Sequence, residues 1–113
     1  MIVLVCGGRD YGDITKLNQV LDALHIKTPI TCVVNGGARG ADRYATWWAD
    51  EKDIAVRVYP ADWDKYGEGA GPVRNQQMLD SEKIELVVAF PGGKGTADMV
   101  RRSKIAGLKV FQA

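Results

Sequence analysis

Residues 90–98 read Phe90-Pro91-Gly92-Gly93-Lys94-Gly95-Thr96-Ala97-Asp98 and directly follow an apolar run. Three glycines fall within four positions, and a helical pattern begins after them. Glycine lets backbone N–H groups approach an anion without a Cβ in the way, and the N-terminus of a helix directs its positive end at the same place. The stretch therefore predicts a phosphate-binding turn between a buried strand and a helix.

Two earlier loops share this character. Gly7-Gly8-Arg9-Asp10 follows the apolar run Ile2–Cys6, and Asn35-Gly36-Gly37-Ala38-Arg39-Gly40-Ala41-Asp42 follows the apolar run 31–34. Several loops of this kind in one chain predict a ligand that carries phosphate and sugar.

The pattern of apolar residues predicts the elements between these loops. Strand-like runs occur at 2–6, 31–34, 55–59, 85–90 and 108–111. Helical spacing predicts a helix after an N-cap at Asp13, a second from Ala41, and two more over 73–79 and 96–106. Gly107 is the expected stop of the last helix.

Five strands alternating with four helices predict an α/β fold. We expect a single doubly wound Rossmann-like domain, with a five-stranded parallel sheet in the order 3-2-1-4-5 and helices on both faces. In that order the sheet reverses direction between strands 1 and 4, and ligands bind beyond the carboxyl ends of the strands at such a point. All three glycine-rich loops follow strands, so they are predicted to line one crevice.

Segment 60–71 is interpreted as a long loop that lines the site, because idle connections in compact domains are shorter. Pro72 is the expected first residue of the third helix. Within the loop, Trp63 has two interpretations that the sequence leaves equal. It either stacks on a base as part of a mobile lid or packs back on the edge of the sheet.

Composition narrows the class of protein. The chain has 113 residues, which predicts one domain over residues 1–113, and its net charge of +1 lacks the basic excess of a general nucleic-acid binder. Cys6 and Cys32 lie within apolar runs, which is typical of reduced thiols in a cytoplasmic protein. No run approaches the roughly 20 apolar residues of a membrane span, so no membrane partner is expected.

The motifs exclude several common chemistries. Lys94 is followed by Gly95, so the loop does not match the Walker pattern, and no G-x-G-x-x-G fingerprint follows the first strand. ATP hydrolysis and ordinary dinucleotide-dependent hydride transfer are therefore not expected, and no cofactor is predicted. His25 is the only histidine and the cysteines lack ligand spacing, so no metal site is predicted.

The PGGxGT element at Pro91–Thr96 and the GGARGAD form of the second loop resemble the SLOG superfamily, which includes the Lonely Guy phosphoribohydrolases and the DNA-processing protein DprA. Gly7-Gly8-Arg9-Asp10 is most similar to the YspA/YpsA-related branch. The resemblance covers nearly the whole chain and implies the same Rossmann-like sheet, with a nucleotide-binding role.

The resemblance also implies candidate catalytic residues. Lonely Guy enzymes carry a glutamate three residues after the PGGxGT threonine, where this chain has Met99, and an arginine-lysine pair on the third helix, where it has Arg74-Asn75. Arg74 and Asp98 are therefore the candidates for a phosphoribohydrolase that cleaves an N-glycosidic bond. Asp98 either faces the cleft or points outward as a partner of the helix dipole.

Cleavage of such a bond needs a clamp on the phosphate and a carboxylate near the sugar. Arg74 and Arg39 are candidate clamps, and Asp98, Asp42 and Asp10 are candidate carboxylates. Each has a structural alternative: Arg39 as a solvated residue, Asp42 as a stabiliser of the second helix, and Asp10 as a turn residue. The predicted ligand-binding set is Gly7, Gly8, Arg9, Asp10, Gly36, Gly37, Ala38, Arg39, Gly40, Asp42, Trp63, Arg74, Asn75, Pro91, Gly92, Gly93, Lys94, Gly95 and Thr96.

Trp47 lies off the apolar stripe of its helix, which predicts an exposed tryptophan and a homodimer interface. Three functional hypotheses follow from the sequence. The first is binding of a nucleotide or nucleotide-derived ligand by a sensor or sequestering protein, the second is phosphoribohydrolase activity, and the third is DprA-like binding of single-stranded DNA, which the near-neutral charge disfavours.

Overall fold

The structure is a computed structural model that describes residues 1–113. Its strands are β1 (Ile2–Cys6), β2 (Cys32–Asn35), β3 (Ala55–Val58), β4 (Leu86–Ala89) and β5 (Val110–Gln112). Its helices are α1 (Ile14–Lys27), α2 (Ala41–Glu51), α3 (Trp63–Tyr66), α4 (Ala70–Ser81) and α5 (Lys94–Ile105), with a 3-10 turn at Gly67–Gly69.

All five strands pair in parallel in the order β3-β2-β1-β4-β5. This confirms the predicted doubly wound Rossmann-like fold, with the reversal of direction between β1 and β4. Right-handed crossovers leave few other ways to join strands that are each followed by a helix.

Alternate residues of the central strands serve two separate hydrophobic clusters. Val3 and Val5 pack with Leu17 of α1 and Trp48 of α2 on one face of the sheet. Leu4 packs on the other face, in the cluster that contains Met78 of α4 and Met99 of α5. Helices cover both faces, which explains why β1 and β4 are apolar throughout.

Local signals account for the first helix. The Asp13 side chain accepts a hydrogen bond from the backbone N–H of Lys16 and caps α1, as predicted. In the last helix the predicted start at Thr96 was wrong by two residues, because Lys94 and Gly95 form its first turn. No helix in residues 1–113 is long and apolar enough to cross a membrane.

The prediction of one long loop over segment 60–71 was wrong, because the segment contains a short helix and a 3-10 turn. Asp62 accepts from the backbone N–H of Lys65 and caps the short helix α3. The 3-10 turn then leads into α4, which begins at Ala70. Pro72 is consequently the third residue of α4 and not the first, a position that proline still tolerates because first-turn N–H groups have no partner within the helix.

Candidate functional site

A cleft of about 570 Å³ opens at the carboxyl ends of β1, β2 and β4, where α3 and α4 close it from one side. Thirteen of the residues singled out from the sequence line this cleft, which therefore brings together all three glycine-rich loops and helix α4. They are Gly7, Arg9, Asp10, Gly36, Asp42, Trp63, Arg74, Asn75, Gly93, Lys94, Gly95, Thr96 and Asp98.

The other predicted residues lie outside the cleft and are Gly8, Gly37, Ala38, Arg39, Gly40, Pro91 and Gly92. Gly8 holds the three loops together, because its N–H donates to the backbone oxygen of Pro91 (2.9 Å) and its own oxygen accepts from the N–H of Ala41 (3.4 Å). Gly40 has φ of 80°, and a Cβ there would overlap the Gly8 oxygen. Close packing between loops explains these glycines without a ligand.

Helix α5 presents unpartnered backbone donors to the cleft. Gly93 precedes the helix without a side-chain cap, and its backbone oxygen accepts only from Ala97 among the first N–H groups. The N–H groups of Lys94, Gly95 and Thr96 therefore have no acceptor in the protein, and all three residues line the cleft. Free donors at a helix N-terminus attract anions.

The loop between β2 and α2 is different, because its own side chains occupy its N–H groups. Asp42 Oδ2 accepts from Gly36 (3.1 Å) and from Ala38 (3.3 Å), and Asn35 Oδ1 accepts from Gly37 (2.8 Å). The N–H groups of Gly36, Gly37 and Ala38 are therefore occupied by side chains of the protein, whereas the first three N–H groups of α5 are not.

Asp42 is a buried carboxyl group, 7% exposed, in the first turn of α2. Burial raises its pKa from the ordinary value of 3.8 to about 6, although its hydrogen bonds with Ala38 and Gly36 and the charges of Arg74 and Arg9 act in the opposite direction. The same burial, with the charge of Asp42, raises the pKa of the neighbouring Cys6 thiol to about 12. Cys6 is therefore an inert thiol at neutral pH.

Arg74 reaches from α4 across the cleft to the end of β2. Its Nη1 donates to the backbone oxygen of Gly36 (2.9 Å), and its Nε donates to Asn75 Oδ1 (3.0 Å). Its Nη2 has no partner in the protein. Burial lowers the pKa of this guanidinium in spite of the nearby Asp42 carboxylate, so Arg74 is a partly desolvated cation held in one orientation.

Asp98 lines the cleft, but both of its oxygens are engaged. Oδ1 accepts from Arg101 (2.6 Å), and Oδ2 accepts from Arg102 (2.8 Å) and Asn75 (3.0 Å). Burial acts to raise its pKa, but the hydrogen bonds from Asn75 and Arg102 and the charges of both arginines outweigh it, and the pKa is lowered. This carboxylate joins α5 to α4, and each of its oxygens already accepts a hydrogen bond from the protein.

Trp63 stands at the mouth of the cleft and does not pack on the edge of the sheet. The Arg9 guanidinium carbon lies 5.3 Å from the centre of its ring, so the pair joins the loop after β1 to α3. The ring is 49% exposed, which leaves area for contact with a flat ligand. Arg39 and Asp10 form an exposed ion pair at 3.0 Å near the same rim.

The predicted site residues omitted Cys6 and Met78, which also line the cleft, and covered Glu68 only as part of segment 60–71, which was predicted to line the site. Cys6 ends β1, and Met78 lies one helical turn after Arg74, so strand position and helical spacing could have placed both. Glu68 depended on the fold of segment 60–71. Within residues 1–113, no group of three or more histidine, cysteine, aspartate or glutamate side chains could hold a metal ion.

A larger open groove of about 860 Å³ lies along the outer side of α4, beside Tyr66 and Arg102. It contains none of the glycine-rich loops and no free helix N-terminus. The smaller cleft therefore carries the candidate site.

The sheet order defines a Rossmann-like α/β protein, and the glycine-lined cleft lies at the switch point of its sheet. The sequence profile of the YspA, cpYpsA-related SLOG family (YAcAr) matches residues 1–66, which span β1 to α3. The chain belongs to this family. It is also similar to the Gene 61 protein of Mycobacterium phage D29, with 35% identity over 117 aligned positions that cover 96% of this chain and 93% of that protein. No solved structure matches the chain.

Proposed function

We propose that the protein binds a nucleotide or nucleotide-derived ligand in the 570 Å³ cleft, with a phosphate group at the N-terminus of α5. The main support is the set of unpartnered N–H groups of Lys94, Gly95 and Thr96. Family membership is compatible with such a ligand. A protein with this role acts as a sensor or sequesters the ligand.

The charges around the cleft support a phosphate at that end. Lys94 is exposed beside the free N–H groups, and the partly desolvated Arg74 faces the same cleft with its Nη2 unpartnered. A phosphate oxygen accepts readily from such donors in a site that is partly shielded from water. The exposed ring of Trp63 supplies a surface for the base.

Gly93 provides the test, because a Cβ added at this residue meets no protein atom within 4 Å. Gly93→Leu should fold normally, and its side chain should block the N-terminus of α5. We expect AMP and ADP-ribose to raise the melting temperature of the wild type and not of this variant. Gly12→Leu is the matched control, because Gly12 is equally unobstructed but lies outside the cleft. Equal stabilisation of both variants would refute the phosphate site.

Phosphoribohydrolase activity is the second candidate, and the raised pKa of Asp42 favours it. In this reaction Asp42, and not the fully engaged Asp98, takes a proton from the water that attacks C1′ of the sugar. The proton then passes to the departing base, whose bond to C1′ has broken. Release of free base from nucleoside monophosphates tests this activity. No release at high protein concentration, with ligand stabilisation intact, leaves binding alone.

The net charge of +1 disfavours the third candidate, binding of single-stranded DNA. An electrostatic DNA complex weakens as salt is raised, so oligonucleotide titrations at two salt concentrations test it.

We also propose that the protein acts in the cytoplasm, because its two cysteines are both free and buried, which suits a reducing compartment.

We further propose that the exposed face of α2 joins two copies of the chain. Trp47 is 49% exposed, and its ring centre lies 5.5 Å from that of Tyr44, so the two rings form an aromatic patch. Trp47→Glu should convert a dimer to a monomer in analytical ultracentrifugation. A wild type that sediments as a monomer contradicts this interface.

A further inference from the structure

Asp42 is the one deeply buried carboxylate of the cleft that keeps an oxygen free for a ligand. Its two hydrogen bonds both reach Oδ2, and Oδ1 has no partner in the protein. Among side-chain nitrogen and oxygen atoms that are fully buried, the Tyr11 hydroxyl alone lacks a hydrogen-bond partner. Oδ1 of Asp42 also lacks a partner, so it is not fully buried, and Asp42 lines the cleft. The other three carboxylates there are Asp98, which is fully engaged, and Asp10 and Glu68, which are exposed.

An open carboxylate oxygen only accepts hydrogen bonds above its pKa, so it selects a ligand group that donates. The cations of the cleft, Arg9, Arg74 and Lys94, only donate and therefore suit phosphate and base acceptors. On a nucleotide, donors occur on the amino groups of the base, which we place against Trp63 at the mouth of the cleft, and on the vicinal hydroxyls of the ribose, which lies between the base and the phosphate. Asp42 is the acceptor that complements them.

The order of the strands places the two groups on opposite sides of β1. Asp42 follows β2 and the α5 N-terminus follows β4, and both strands pair with β1. Strands two positions apart in a sheet are about 10 Å apart. A ribose 5′-phosphate can bridge ends at this separation, with its phosphate at α5 and its hydroxyls toward α2.

We propose, on the basis of the nucleotide-binding role above, that Asp42 recognises the ribose hydroxyls of the ligand through Oδ1 and thereby favours ribonucleotides over 2′-deoxyribonucleotides. Oδ2 keeps its place by holding the loop N–H groups of Gly36 and Ala38. The loop thus orients a carboxylate for the sugar where an unfilled glycine loop would bind a second phosphate.

The first test compares AMP, GMP and CMP with their 2′-deoxy counterparts by titration calorimetry of the wild type. A hydrogen bond to a charged group corresponds to roughly a tenfold to hundredfold difference in affinity, so we expect a ribose preference of at least about tenfold. Equal affinities overturn the ribose assignment and leave the nucleotide-binding role intact. Absence of binding by all six and by ADP-ribose overturns both.

The second test replaces the acceptor oxygen of Asp42 that faces the cleft with an NH2 donor. In Asp42→Asn, the amide oxygen can hold the two loop N–H groups, which turns the NH2 group toward the cleft. The ribose preference should then fall to less than about threefold. Asp50→Asn is the control, since it makes the same charge change on the exposed side of α2. A folded Asp42→Asn protein that keeps the preference overturns the proposal.

A third readout needs no variant. Asp42 faces Cys6 of β1, Arg9 of the following loop and Arg74 of α4. The ratio of AMP to 2′-deoxy-AMP affinity should fall as the pH drops below about 6, where the carboxylate takes up a proton. The titration of the phosphate itself cancels in this ratio. A ratio that is constant from pH 5 to pH 8 contradicts the role of an ionised Asp42.

Discussion

Arg74 Nη1 donates a hydrogen bond to the backbone oxygen of Gly36 over 2.9 Å and so ties α4 to the loop that follows β2. The contact is close enough that a Cβ on Gly36 would overlap the guanidinium. Gly36 is thus required by a side chain of the protein itself, which the glycine-rich character of the loop did not indicate.

Gly36→Ala should displace the Arg74 guanidinium. The guanidinium is the far end of a flexible side chain and can move aside, so the main cost is its lost hydrogen bond to the Gly36 oxygen, and the free energy of unfolding should fall by about 1–3 kcal/mol. Ligand stabilisation by AMP should fall as well, because the cation moves out of place. Chemical denaturation of the variant beside Gly12→Ala measures the effect, since Gly12 has open space around it. Equal stability of the two variants contradicts the contact.

Asp98→Asn should destabilise the protein at neutral pH by about 1–3 kcal/mol, because two arginines lose an ionised partner. The folded pKa of Asp98 lies below its ordinary value of 3.8, so its stabilising effect is present above that pH and is lost as the pH falls through the folded pKa. The difference between variant and wild type should therefore shrink below about pH 4. Thermal unfolding from pH 7 to pH 2.5 measures it, and a gap that grows in acid refutes the ion-pair role.

Asp42→Asn should behave in the opposite way. The pKa of Asp42 in the folded protein is raised to about 6. Its favourable contribution to the free energy of unfolding is therefore complete below pH 3.8 and is lost as the pH rises through about 6. The variant should equal or exceed the wild type in stability at pH 8, by up to about 3 kcal/mol, and lose this advantage toward pH 4. Urea unfolding across this range is the measurement. If the free energy of unfolding of the wild type instead rises relative to that of the variant as the pH rises, burial does not disfavour the ionised carboxylate.

Trp63→Ala should change stability by less than about 1 kcal/mol, since the stack with Arg9 is exposed to solvent. Affinity for AMP should fall about tenfold if the ring contacts the base. Trp63→Phe is the matched variant and should retain most of the affinity. Calorimetric titration with AMP and with ribose 5-phosphate separates the two effects, because only AMP carries a base. A loss that is equal for both ligands places the base elsewhere.

The alternation of apolar runs and helical spacing was enough to predict the sheet order and the position of the cleft. Strand and helix ends differed from prediction by one or two residues, because the last residues of an element depend on caps and neighbours. Segment 60–71 was the larger error, since the short helix α3 depends on a local Asp62 cap that a composition rich in glycine concealed.

The sequence by itself determined which loops meet, because parallel strands followed by helices bring their carboxyl ends to one edge. Only the tertiary structure decided that the glycine N–H groups of the loop after β2 are occupied. Two similar glycine-rich loops differ because Asn35 and Asp42 fold back onto one of them, whereas no side chain reaches the N–H groups of Lys94, Gly95 and Thr96. A hydrogen-bond donor takes the nearest suitable acceptor, and which acceptor is nearest is set by the folded chain and not by the composition of the loop.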